Sequence, residues 1–166
     1  MFESLLPTID RAAQLLRVRG ERLVTAESCT GGLIAAACTS VAGSSEWFER
    51  GYVTYSNAAK TESLGVPATL IAAHGAVSEP VARAMAEGAL QHARADWSLA
   101  VTGIAGPGGA VPGKPVGTVW LALGHRDQAS VAWLLHCPGD RGAVRIAALE
   151  RALGELLRAL EAGGNL

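Results

Sequence analysis

No apolar run in this chain approaches the roughly 18 to 20 residues that span a bilayer, although 49% of the sequence is hydrophobic. Much of that content is alanine. Cysteine is scarce: Cys29, Cys38 and Cys137 are an odd number without CxxC spacing, so neither a disulfide framework nor a zinc site is supported. The opening MFESLLPTIDRAAQLLRVRG lacks the basic-then-apolar order of a signal peptide. A reducing, cytoplasmic location is therefore expected. Aromatic residues make up only 5% of the chain, too few for a base-stacking platform. The net charge of −1 comes with scattered basic residues, which leaves no footprint for nucleic acid. Lysine is nearly absent: of 14 basic residues only Lys60 and Lys114 are lysines. Chance retention accounts for either lysine taken alone; the alternative is a position that needs a compact amine able to lose its proton. Finally, none of the four histidines lies in a hydroxyl or carboxylate cluster, so a Ser-His-Asp arrangement is unsupported.

What is present fits one domain over residues 1–166, with no repeat, linker or low-complexity segment. Leu5, Ile9, Ala12 and Leu16 share one face of a first helix that Gly20 stops. Residues 22–26 read as a buried strand and 33–39 as a helix of small side chains. Ser44 or Ser45 is placed to cap a short helix over 46–48. The run GYVTYS, 51–56, reads as the second strand, and Asn57 as the cap of a helix over 58–64. Helices follow over 67–74 and 79–93, then strands over 97–101, 116–124 and 129–136, the last two as a hairpin. Pro138 and Asp140 open a final helix striped by Leu149, Leu153, Leu156, Leu157 and Leu160. This order predicts a three-layer α/β/α sandwich on a mixed sheet of about five strands, parallel at the early crossovers and antiparallel at the hairpin.

Polar residues gather at three strand ends: Glu27-Ser28-Cys29-Thr30 before Gly31-Gly32, Tyr55-Ser56-Asn57, and Thr102 before a Gly/Pro-rich loop. Strand carboxyl ends are where open α/β sheets bind ligands. A glycine turn feeding a helix can hold an anion on free N–H groups or present a nucleophile; an ordinary capped turn has the same residues. Lys60 follows the Tyr55-Ser56-Asn57 end by one helical turn, so its amine is placed to deprotonate a serine, unless it is a solvated helix charge. Ser28 and Ser45 (or Ser44) are the candidate serines. Cys29 has no evident base and reads better as a small buried hydrophobe. Arg141 and Arg145 sit in the first turns of the last helix, where its dipole disfavours cations by up to ~1 kcal/mol, so an anionic ligand or a salt bridge to Asp140 or Glu150 is expected beside them.

TAESCTGG (25–32), VAGSSEWFERGYVTYSNAAK (41–60), LGVP (64–67), HGAVSEPVA (74–82) and VTGIAGPGG with the following KPVGTVW together resemble the CinA C-terminal domain family, over about 15–160. Characterised members are nicotinamide-nucleotide amidohydrolases, and the resemblance is to the stand-alone form, without the molybdopterin-binding-like domain. It implies hydrolysis of the carboxamide of nicotinamide mononucleotide to nicotinate mononucleotide and ammonia, in pyridine nucleotide recycling. A binding or regulatory module tied to competence or DNA damage is the alternative. Carried over by motif, the catalytic set is Ser28, Ser45, Tyr55 and Lys60. Thr30, Gly31, Gly32, Asn57, Thr102, Gly103 and Arg141 serve the substrate, and Arg145 is a weaker match. Lys60 is expected to activate a serine, with Ser45 narrowly preferred over Ser28, and Arg141 or the Gly31-Gly32 turn to take the phosphate. Neither metal nor other cofactor is expected. The expected partner is a small nucleotide, with no nucleic acid or membrane; the small-residue helices suit a dimer.

Overall fold

Leu23 and Val24 are neighbours on one strand, yet each belongs to a different apolar layer. That alternation is the period-two signature of a sheet covered on both faces. The computed structural model describes residues 2–166. It contains α1 (Leu6–Arg19), β1 (Leu23–Glu27), α2 (Leu33–Cys38), β2 (Phe48–Val53), α3 (Asn57–Leu64), α4 (Ala68–His74), α5 (Glu79–His92), β3 (Trp97–Gly103), β4 (Thr118–His125), β5 (Gln128–His136) and α6 (Arg141–Glu161). Short 3-10 turns cover Glu3–Leu5 and Ser44–Glu46.

The five strands run in the order β2-β1-β3-β4-β5. β1 is parallel to both β2 and β3, and β4 and β5 continue antiparallel. α1, α2 and α6 bury Ile9, Leu16, Ile34, Leu149 and Leu156 on one face. α3, α4 and α5 bury Leu64, Ile71, Val81 and Met85 on the other. The expected three-layer α/β/α architecture on a mixed sheet is present. The crossover through α2 covers one face and that through α3 to α5 the other. The winding therefore reverses at β1, and a crevice opens at the carboxyl ends of β1 and β3.

The second strand departs from expectation. It runs from Phe48 to Val53 rather than over 51–56, with Leu23 opposite Phe48 and Glu27 opposite Val53. β2 is an edge strand, so its polar Glu49-Arg50 pair is tolerated there and hid the strand's first half. Thr54-Tyr55-Ser56 thereby leave the sheet at its carboxyl end. The cap of α3 is Ser56, whose hydroxyl accepts from Ala59 N at 3.0 Å, rather than Asn57. β3 extends to Gly103, which places Thr102 in the strand and not in the loop.

α3 packs on α5 through bare backbone. A Cβ on Gly88 would stand 2.0 Å from Leu64 O. Gly88→Ala is therefore expected to destabilise by about 3 kcal/mol or more, through forced separation of the two helices. Urea unfolding reads this directly; a loss under ~0.5 kcal/mol would mean the helices part freely.

Candidate active site

β1 ends in a laced knot of backbone. Thr54 N donates to Glu27 O at 2.8 Å, and Ser28 N donates to Val101 O at 3.0 Å. The carboxyl ends of β2, β1 and β3 are thus tied together around Ser28. Capping of α3 by Ser56 then sets the direction of Lys60 one turn on. Its side chain points inward rather than to solvent and is only 1% exposed. Lys60 Nζ lies 3.1 Å from Ser28 Oγ and donates to Thr54 O at 3.0 Å.

No carboxylate pairs with Lys60 among the described residues. Burial lowers its pKa from the ordinary 10.5, because an ammonium loses water there without gaining a counter-charge. The adjacent Cys29 thiol acts the other way but weakly. Burial raises its own pKa to about 11, so it is neutral near pH 7. A neutral amine facing a hydroxyl can take its proton; an ammonium cannot.

The cavity in front of this pair measures about 220 Å³. Its walls are Tyr55 and Asn57, Ala76 and Val77, Thr102, Gly103 and Ala105, and Arg141. Thr102 Oγ1 donates to Ala76 O at 2.9 Å, and Lys114 Nζ to His74 O at 2.9 Å, which holds the 74–77 wall against β3 and the glycine-rich loop. Lys114 therefore serves the wall and not the chemistry. Gly103 must be glycine for the knot to close: a Cβ there would come within 2.7 Å of Val119 Cγ2 and 3.1 Å of Cys29 Sγ. At the mouth, Arg141 donates to Tyr55 Oη at 2.7 Å and to Gly106 O at 2.9 Å.

Ser28, Lys60, Tyr55, Asn57, Thr102, Gly103 and Arg141 are thus brought to one cavity. Ser45 is not. It lies in the 3-10 turn before β2, at the amino end of that strand. A six-residue strand spans about 20 Å, so Ser45 is far beyond the reach of Lys60. The glycine turn is also placed differently from expectation. Gly31 N donates to Ser28 O at 3.0 Å, and Gly32 N to Glu27 Oε2 at 3.0 Å, so neither is open to a phosphate. Thr30 is fully buried, and its carbonyl accepts from Arg145 Nη2 at 2.9 Å, which occupies Arg145 in structure. Neither the Cys29 N–H nor the Thr30 N–H donates to another backbone group among the described residues.

Two features escaped the sequence reading. The Thr54 carbonyl that steadies Lys60 is backbone and carries no residue signal. Glu27 did carry one, as an acid ending an otherwise apolar strand just before a helix start. The described residues hold no cluster of three or more His, Cys, Asp or Glu side chains suited to a metal. Among the described residues, no helix is long and apolar enough to cross a membrane.

An α/β sandwich of this architecture has known counterparts. The model of the CinA C-terminal domain family matches residues 7–160, and the chain belongs to that family. It is 50% identical over 152 residues to the nicotinamide-nucleotide amidohydrolase PncC of Shigella flexneri, covering 92% of each chain. The PncC of Escherichia coli K12 is 49% identical over the same share. Against the CinA-like protein of Mycolicibacterium vanbaalenii, identity is 54% over 155 residues, but the match spans only 36% of that longer protein. Among solved structures, a CinA superfamily protein from Klebsiella pneumoniae 700603 superposes with a TM-score of 0.90 at 40% identity, covering 94% of this chain and 97% of that one.

Proposed function

We propose that this protein is a nicotinamide-nucleotide amidohydrolase, releasing ammonia from the carboxamide of nicotinamide mononucleotide in pyridine nucleotide recycling. The relatives named PncC support the substrate. The observation that carries the mechanism is the 3.1 Å contact between Lys60 Nζ and Ser28 Oγ. Neutral Lys60 takes the Ser28 proton as Oγ attacks the carboxamide carbon. The N–H groups of Cys29 and Thr30 supply donors to the oxyanion. The Lys60 ammonium then protonates the departing nitrogen, which leaves as ammonia with a nicotinoyl ester on Ser28. Lys60, neutral again, deprotonates a water that attacks the ester, and Ser28 recovers its proton as the carboxylate product forms.

A cavity of about 220 Å³ suits the pyridine ring and its carboxamide, which leaves the phosphate at the mouth beside Arg141. Arg141→Ala is expected to raise KM about 10- to 100-fold, the worth of a hydrogen bond to a charged group, with a smaller change in kcat. An unchanged KM would move the phosphate elsewhere.

The test of the reading is ammonia release from nicotinamide mononucleotide. Turnover with stoichiometric nicotinate mononucleotide supports it. Tight binding without turnover at high enzyme concentration would make the protein a nucleotide-binding module instead.

A further inference from the structure

Glu27 is fully buried, yet no cation faces it among the described residues. Such a carboxylate is costly unless its oxygens are occupied. They are: Oε2 accepts from Gly32 N and Ile34 N, both at 3.0 Å, and Oε1 from Ala35 N at 2.8 Å. The side chain thus reaches over residues 28–31 and fastens the end of β1 to the first turn of α2. Enclosed in that ring are Ser28 and the N–H groups of Cys29 and Thr30, which donate to no other backbone group among the described residues.

The ring answers a mechanical problem. Gly31 and Gly32 both have positive φ, +60° and +93°. Two adjacent glycines make the sharp turn possible but leave it soft, because glycine has the widest backbone freedom. Ser28 itself is held by its N–H on Val101 O and its carbonyl under Gly31 N–H, each at 3.0 Å. Beyond Ser28, the Thr30 carbonyl accepts from Leu33 N at 3.2 Å and from Arg145 Nη2 at 2.9 Å. The Glu27 carboxylate adds the anchor on the N–H side, by fastening the chain just beyond Cys29 and Thr30.

We infer that Glu27 is a positioning residue, whose carboxylate clamp on the start of α2 holds the Ser28 nucleophile and the oxyanion-binding N–H groups in register. The inference rests on the amidohydrolase reading above. Glu27 acts on the geometry of the turn and not on the charge of Lys60, since both its oxygens are committed to α2.

Substitution separates these roles. Glutamine has the right length, but its amide oxygen serves only one side of the clamp, and its NH2 confronts the remaining N–H donors. Aspartate keeps the charge at shorter reach. In Glu27→Gln, kcat is expected to fall about 100-fold, the scale of losing one oxyanion donor. KM stays within about 3-fold and the acid limb of the pH–rate profile stays in place, since substrate contacts and Lys60 are untouched. Glu27→Asp is expected to show the same pattern, and it serves if the glutamine variant does not fold. In the wild type, the amides of Gly32, Ile34 and Ala35 are expected to exchange slowly together. A folded variant with kcat within 2-fold of wild type overturns the inference. So does a raised KM with kcat kept, a displaced acid limb, or rapid exchange at those three amides. Absence of ammonia release by the wild type would instead remove the amidohydrolase reading.

Discussion

Replacing Lys60 by methionine is expected to lower kcat by roughly 1000-fold while the protein still folds. Methionine fills the same buried channel beside Ser28 and lacks only the amine. Lys60→Arg is expected to be as inactive, because a guanidinium stays protonated and cannot serve as a base. In the wild type, kcat/KM is expected to rise with pH along a limb that lies below lysine's ordinary 10.5, since burial has lowered the pKa of Lys60.

The same shift has a stability consequence that also runs upward with pH. The unfolded chain holds the Lys60 proton up to its ordinary pKa, whereas the folded chain releases it earlier. Between the two values the unfolded state binds more protons, so wild-type stability rises with pH there. Below the folded pKa the full burial penalty is present; above 10.5 it is gone. Lys60→Met escapes that penalty. It is expected to melt no lower than wild type near neutral pH, with its relative advantage shrinking as pH approaches 10.5. Activity and thermal melts across pH check both halves. A methionine variant that keeps a tenth of wild-type kcat would remove Lys60 from the chemistry.

Ser28→Ala is expected to lose about 10,000-fold or more in kcat, as removal of a nucleophile does. Ser45→Ala is expected to stay within about 2-fold, as a change at an exposed surface position. The contrast follows from position alone. Ser28 follows a parallel strand and therefore stands at the carboxyl end of the sheet, in contact with Lys60. Ser45 precedes one and stands at the opposite end. Parallel measurement of both variants decides the matter, and a dead Ser45→Ala beside an active Ser28→Ala would reverse it.

That contrast also shows what was readable in the chain. The turn before β2 and the turns after β1 and β3 belong to opposite ends of a parallel sheet, so order along the sequence already argued against pairing Ser45 with Lys60. Motif resemblance names Ser28 and Ser45 alike and carries no information on which end of the sheet each occupies. Architecture was more legible. The leucine stripe of α6, with Leu149, Leu153, Leu156 and Leu160 buried, and the apolar run of β3 announce their packing by periodicity. β2 was shifted by three residues because an edge strand need not be apolar. Glycine content offers the turn as an anion site alongside Arg141, but says nothing of which N–H groups are already engaged. That depended on where a single carboxylate, Glu27, points.

The most direct test of the Ser28–Lys60 account is identification of the acylated residue. Enzyme turning over nicotinamide mononucleotide is quenched in acid, digested and mapped by mass spectrometry. The account predicts a nicotinoyl nucleotide ester on Ser28, absent from Ser28→Ala. The acyl group on Ser45 or Cys29, or its persistence in Ser28→Ala, would contradict it.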